Sequence, residues 1–240
     1  MQVHVYETAA QVGQAAATLF AAQIIQKPDS VFGLATGSSP VGCYRQLIAW
    51  HQAGVLDFSK CVSYNLDEYC GLPGTHDQSY RYFMDTNLFN HINIDKANTH
   101  VMNGKCEDPE KETADYDKAI EAAGGIDIQV LGIGRNGHIG FNEPAEELVA
   151  ATHLTGLTES TIEANARFFE KESDVPRHAL TMGMKPIMAA RQIIILINGK
   201  NKHEALMGLL SGKISTSNPS TMLNLHGNVT ILCDEEAYNG

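Results

Sequence analysis

Val31-Phe32-Gly33-Leu34-Ala35-Thr36-Gly37-Ser38-Ser39-Pro40 reads as a buried strand, a turn of small residues and the start of a helix. The run Val31–Ala35 is short and continuously apolar, as a strand covered on both faces requires. Gly37 allows a tight turn, and Pro40 suits the first helical position. Val41, Tyr44, Leu47 and Ile48 then supply an apolar helix face. The same alternation extends outward in both directions. Upstream, Gln2–Tyr6 alternates like a strand, Thr8-Ala9-Ala10-Gln11 has capping-box spacing, and Val12, Ala16, Leu19, Phe20 and Ile24 follow a helical period. Downstream, Cys61–Leu66, Ile126–Leu131, Ile193–Ile197 and Val229–Cys233 read as strands, and Ser79–Phe89 and Pro109–Ala123 as helices. This order predicts an α/β fold: a parallel sheet with helices on both faces, formed as one domain over residues 1–240. The polar stretch Glu143–Arg177 carries little strand signal and is expected as an insertion over the sheet's ligand edge.

Composition narrows the function. The 240 residues carry 17 Lys and Arg against 28 Asp and Glu, a net charge of −11, which argues against nucleic acid as a partner. Five cysteines, without a C-x-x-C pair, read as reduced thiols in a cytoplasmic chain. The first residues lack a secretory pattern, and apolar runs such as Ile193–Ile197 are too short to span a bilayer, so no membrane partner is expected.

Ligands of open α/β sheets lie beyond the carboxyl ends of the strands. Three segments at such ends carry chemistry. In Ala35–Pro40, a glycine turn, hydroxyls and free helix N–H groups together suit a phosphate, although a serine-capped helix would look the same. Asn65-Leu66-Asp67-Glu68-Tyr69 puts two acids directly after a strand, where a partly desolvated carboxylate can act as a base; a solvated turn is the plainer alternative. The densest segment is Gly132-Ile133-Gly134-Arg135-Asn136-Gly137-His138-Ile139-Gly140-Phe141-Asn142-Glu143-Pro144. It contains G-x-G-x-x-G, but Gly140 and Asn142-Glu143-Pro144 leave no room for the helix that a dinucleotide fingerprint must open. It reads instead as a glycine-rich loop presenting Asn136, His138 and Glu143, a carboxylate-oriented histidine able to move protons. The histidines show no metal-ligand spacing, so no metal is expected. Arg167 and Lys202 stand beside predicted ligand-facing loops in a chain with few cations.

Taken in order, Ala35–Pro40, Asn65–Leu72, Gly132–Pro144, Asn165–Phe169 and Gly199–Lys202 resemble the glucosamine-6-phosphate deaminase family. The resemblance implies a modified Rossmann-like sheet and conversion of glucosamine 6-phosphate and water to fructose 6-phosphate and ammonia, without metal or organic cofactor. It implies that His138 assists opening of the pyranose ring with Glu143 and Asn136 as partners, and that Asp67 is the base moving the C2 proton. Gly37, Ser38, Ser39, Arg167 and Lys202 would hold the phosphate. Many longer family members carry Asp where this chain has Asn136, so a relay of three carboxylates is not available here. The stretch 157–180 is expected to act as a lid that brings Arg167 to the phosphate.

Two other families come near this pattern. A 6-phosphogluconolactonase typically continues Gly-His with Ala-Ser-Leu-Phe-Pro, whereas this chain continues Ile139-Gly140-Phe141-Asn142-Glu143-Pro144. A sugar-phosphate-sensing regulator needs a DNA-reading module, and the residues before the phosphate loop read as only one strand and one helix. Longer deaminases resembling this chain have an activator site after Asn-Glu-Pro. Here Ala145–Thr155 offers two acids and no Arg or Lys, which predicts hyperbolic kinetics and a monomer or small homo-oligomer.

Overall fold

In the computed structural model, which describes residues 1–166, 169, 171 and 174–240, local sequence signals and element ends coincide closely. Strand β1 (Gln2–Tyr6) leads to helix α1 (Ala9–Gln26), whose N-terminus is closed by the reciprocal Thr8–Gln11 capping box. Strand β2 (Val31–Leu34) leads to α2 (Val41–Gln52); Pro40 precedes this helix as its cap and is not its first residue. The chain continues through β3 (Val62–Asn65), β4 (Asp67–Tyr69), α3 (Tyr80–Asn87), β5 (Thr99–His100), α4 (Pro109–Ala122) and β6 (Ile128–Gly132). Then come β7 (His153–Gly156), α5 (Glu159–Ala166), β8 (His178–Thr181), α6 (Met184–Met188), β9 (Gln192–Ile197), α7 (His203–Leu210), β10 (Val229–Asp234) and α8 (Glu235–Asn239).

Seven strands form a parallel sheet in the order β1-β10-β9-β6-β2-β3-β5. The registers Phe32↔Ser63 and Gly33↔Tyr64 put Phe32 and Tyr64 on opposite faces. Phe32 meets Phe20 of α1 edge-on, while Tyr64 meets Tyr116 of α4, so helices cover both faces as the alternation predicts. The central strands are correspondingly apolar, and Ile193–Ile197 is fully buried. At the amino ends of the strands, buried Asp127 accepts hydrogen bonds from the Val31 N–H, Lys27 and Arg191, tying β2, β6 and β9 together.

A second sheet lies outside what the alternation predicts. Strands β4, β8 and β7 pair antiparallel, with Asp67↔Thr181 and His153↔Thr181 in register. The polar insertion therefore holds β7 and α5. The expected turn at Asp67-Glu68 is instead a buried strand, since Thr181 and Ala179 of β8 supply its backbone partners. The segment expected as a lid leaves from β7 and returns to β8, and Leu157 N–H donates to Arg177 O at its neck.

Helices α1 and α2 cross at Gly13 and Gly42. A Cβ on Gly13 would lie 2.9 Å from the Gly42 carbonyl carbon, whereas one on Gly42 would find the Gly13 Cα at an ordinary 3.5 Å. Helix propensity favours Ala over Gly by up to about 1 kcal/mol at either position, but overpacking against backbone costs about 1–3 kcal/mol. Gly13→Ala should therefore lower stability and Gly42→Ala should leave it unchanged or raise it, as read from denaturant melts of the two variants.

Candidate active site

The carboxyl ends of β2, β6 and β9 lie side by side, and Ser39, Lys202 and the glycine-rich loop follow from them. Strand β6 ends at Gly132, where a Cβ would lie 4.0 Å from Ser39 Oγ of the small-residue turn. One residue on, the Ile133 carbonyl accepts a 2.7 Å hydrogen bond from Lys202 Nζ. Lys202 comes from the far side: it follows β9 through Gly199, whose N–H is held by both Asp234 carboxylate oxygens at 2.9 and 3.0 Å. Ser39 and Lys202 thus converge on residues 132–133 from opposite neighbours of β6. Gly37 and Ser38 are exposed at the tip of the turn. The start of that turn is fixed by buried Tyr44, whose hydroxyl donates to Ala35 O at 2.6 Å. Partial burial, and then the neighbouring charge of Arg135, hold the Lys202 ammonium pKa below its usual range. Arg135 is a further cation at this edge, one that its motif does not mark out from the glycines around it. Arg167 lies outside the described residues.

The glycine-rich segment forms an irregular loop without helix, as its breakers require. Asn136 joins its three polar groups. Its Nδ2 donates to Glu143 Oε2 at 2.7 Å, and its Oδ1 accepts from the His138 backbone N–H at 3.2 Å. The other Glu143 oxygen lies 3.1 Å from His138 Nδ1, an ion-pair approach off the line of a hydrogen bond. Asn136 therefore holds both the carboxylate and the histidine backbone without a charge of its own. The ring needs Gly134: a Cβ there would lie 2.3–2.5 Å from His138 Cε1, Nδ1 and Cγ. Asn142 Nδ2 anchors the loop to Ile139 O and Met182 O.

Asp67 reaches this loop from the second sheet. A Cβ on Gly140 would lie 2.9 Å from Thr181 Oγ1 and 3.5 Å from Asp67 Oδ2, so a glycine, with φ +58°, lets the carboxylate and the loop meet. Thr181 Oγ1, opposite Asp67 on β8, accepts from the Phe141 N–H. Asp67 is 7% exposed, and burial, reinforced by the Glu68 charge, raises its pKa from 3.8 to about 8. Glu68 is also buried, but its carboxylate accepts from three backbone N–H groups: Tyr69 and Tyr80 on Oε1, and Arg81 on Oε2. Glu68 thereby fixes the start of α3. Tyr69, Tyr80 and Phe141 pack beside them, and Phe169 of the 157–180 segment meets Tyr69 edge-on and stacks on His76. Among the described residues, no cluster of three or more His, Cys, Asp or Glu is arranged to hold a metal ion.

The site thus joins a loop that carries an imidazole beside a carboxylate to a second, buried carboxylate that meets the same loop at Gly140, with hydroxyl and ammonium groups at the end of β6. The family of glucosamine-6-phosphate isomerases and 6-phosphogluconolactonase matches residues 5–232. The chain belongs to this family. Within it, the glucosamine-6-phosphate deaminase of Clostridium perfringens (strain 13 / Type A) is 54% identical over 237 residues, 99% of this chain and 98% of its own. That of Clostridium beijerinckii is 51% identical over 239 residues, 100% of this chain and 99% of its own. Among solved structures, a monomeric glucosamine-6-phosphate deaminase is 44% identical with a TM-score of 0.96, covering 100% of this chain and 99% of that one. The family's description also names lactonases, and in this chain Glu143, five residues after His138, lies against the imidazole.

Adding one methyl group tests the seat of the imidazole. Gly134→Ala should displace the His138 ring from Glu143 and lower kcat by roughly 10- to 100-fold, the cost of misplacing a reacting group by about 1 Å. The melting temperature should change little, because Gly134 lies in a loop, and a crystal structure of the variant should show the ring rotated.

Proposed function

We propose that the chain converts glucosamine 6-phosphate and water to fructose 6-phosphate and ammonia, with the proton transfers divided between His138 and Asp67. The observation that carries this reading is the Asn136–Glu143–His138 cluster on a loop that meets buried Asp67 at Gly140, in a chain that shares half its residues with named deaminases along their length. A coupled assay for ammonia and fructose 6-phosphate from glucosamine 6-phosphate tests it directly.

The sequence of events follows from the groups. The pyranose must open first, and His138 takes the C1 hydroxyl proton and returns one to the ring oxygen. Glu143 steadies the imidazole as it gains charge, and Asn136 keeps Glu143 in place without adding a third negative charge. The open-chain aldehyde acidifies the C2–H. Asp67 removes that proton; the C–H electron pair becomes the C1=C2 bond, and the aldehyde oxygen is protonated. Return of the proton to C1 converts C2 into an iminium, to which water adds as ammonia leaves. The N–H groups at Gly37 and Ser38, with Ser39 and Lys202, form the phosphate site, and Arg167 completes it from the 157–180 segment acting as a lid. In this reading the whole chain acts as one cytoplasmic domain, as a monomer or small homo-oligomer and without an activator.

Asp67→Asn keeps the shape of the base and removes its function, so turnover should fall by about 10²–10⁴-fold. For the parent, kcat/KM should climb as pH rises towards about 8, where the free carboxyl ionises. Stability should move the opposite way. Between pH 3.8 and about 8 the folded chain holds a proton that the unfolded chain has released, so stability falls as pH rises through that window. Asn removes this loss. The variant's melting temperature should gain on the parent's from about pH 4 to about pH 8, and a constant difference would show that Asp67 is not the buried acid responsible.

Lys202→Met preserves the aliphatic stem and removes the charge. The loss of one charge-assisted hydrogen bond of about 1.5–3 kcal/mol should raise the KM for glucosamine 6-phosphate by roughly 10- to 100-fold. Turnover of unphosphorylated glucosamine should stay as poor as in the parent.

A further inference from the structure

We propose that Asn218, far from the sequence motifs of the site, is a positioning residue that locks the His138 loop to α7, the helix that begins directly after Lys202. The inference rests on the roles of His138 and Lys202 proposed above. Asn218 fills a slot with a glycine on each wall. On one side, a Cβ on Gly137, next to His138, would lie 2.0 Å from Asn218 Oδ1 and 2.4 Å from its Cγ. On the other, a Cβ on Gly208 of α7 would lie 2.4 Å from Asn218 Nδ2. A side chain in van der Waals contact with two bare Cα atoms leaves neither wall free to shift towards the other.

Hydrogen bonds fix the same geometry. Asn218 Nδ2 donates to the Ala205 carbonyl in the first turn of α7, directly after Lys202. Asn218 Oδ1 accepts from Ser220 Oγ, and the Ser220 N–H donates to the Gly137 carbonyl at 2.8 Å. The turn presenting Asn218 is rigid in itself: Thr221 Oγ1 accepts from the Ser215 N–H and donates to Asn218 O. It also grips the far end of the catalytic loop, where the Ala145 N–H donates to Thr216 O. The loop holding His138 is thus gripped before and after its catalytic side chains by a turn seated on α7. Through Asn218, the distance from the imidazole to the ammonium that binds phosphate becomes a fixed dimension of the site.

The test separates ring opening from the phosphate grip. Parent, Asn218→Ala, Asn218→Asp and Ser217→Ala are compared for kcat on glucosamine 6-phosphate and for inhibition by the open-chain amino-alditol 6-phosphate made by reducing the substrate at C1. This compound needs no ring opening, so its affinity reads the phosphate site. Asn218→Ala should lower kcat by roughly 10- to 100-fold and weaken the alditol by about 3- to 10-fold. Asn218→Asp preserves size and the acceptor for Ser220, but cannot donate to Ala205 O, and should also weaken the alditol. Ser217→Ala, which removes a hydroxyl that meets Ser215 on the same turn, should stay within about twofold of the parent. A folded Asn218→Ala or Asn218→Asp with parent kcat and parent affinity overturns the proposal; a fall in kcat with unchanged alditol affinity overturns the coupling to Lys202. If Asn218→Ala does not fold, Asn218→Asp decides. Ammonia release by the parent tests the functional reading separately, since a parent that turns over with a variant that equals it defeats only the role of Asn218.

Discussion

Strand β6 is hydrogen-bonded to β2 on one side, with Phe32↔Ile128 in register, and to β9 on the other, with Leu196↔Gly132. Because all three run the same way, the segments that follow them leave from one edge. That geometry brings Ser39 and Lys202 to residues 132–133, although they are far apart in the chain. Antiparallel pairing would have sent one of these segments to the opposite end, where Asp127 gathers Lys27 and Arg191. The two ends of the sheet consequently differ in character. At the amino end, cations are matched to a buried carboxylate; at the carboxyl end, the Lys202 ammonium meets a backbone carbonyl.

The second sheet supplies what a parallel sheet does not. A strand-end loop on the main sheet would leave a carboxylate near water, with an ordinary pKa. By pairing Asp67 with Thr181 on β8, the fold desolvates the acid while keeping one face open to the His138 loop. Glu68 shows what the same burial requires of an acid that serves the structure, since three backbone donors surround its carboxylate. The contrast between adjacent carboxylates shows how local bonding gives two buried acids of one short strand different surroundings.

Much of this was legible in the sequence because the signals were local. The Thr8–Gln11 capping box, the strand–turn–helix unit at Val31–Val41 and the breakers after Gly137 each state their conformation within a few residues. The Asn136, His138 and Glu143 set was legible for the same reason. Strand β7 was not: His153–Gly156 is four residues long, half exposed and without β-branched residues other than Thr155, and its pairing comes from β8. The burial of Asp67 escaped for a similar reason, since a three-residue strand has no period to read. Asn218 gave no local signal, because its significance depends on two glycines that only the tertiary fold sets against it.

The edge strand β1 has a further consequence, for how the protein is made. Its partner in the sheet is β10, and His4 and Cys233, which meet there, are 229 residues apart. At about 5–20 residues per second, the ribosome takes on the order of ten to fifty seconds to deliver that partner. Throughout that interval the nascent chain carries a strand with unpaired backbone groups and with Val3 and Val5, which remain exposed even in the finished fold. A strand made long before its partner is thus among the last to be secured. Until then its unpaired edge and alternating pattern are open to pairing with another nascent chain.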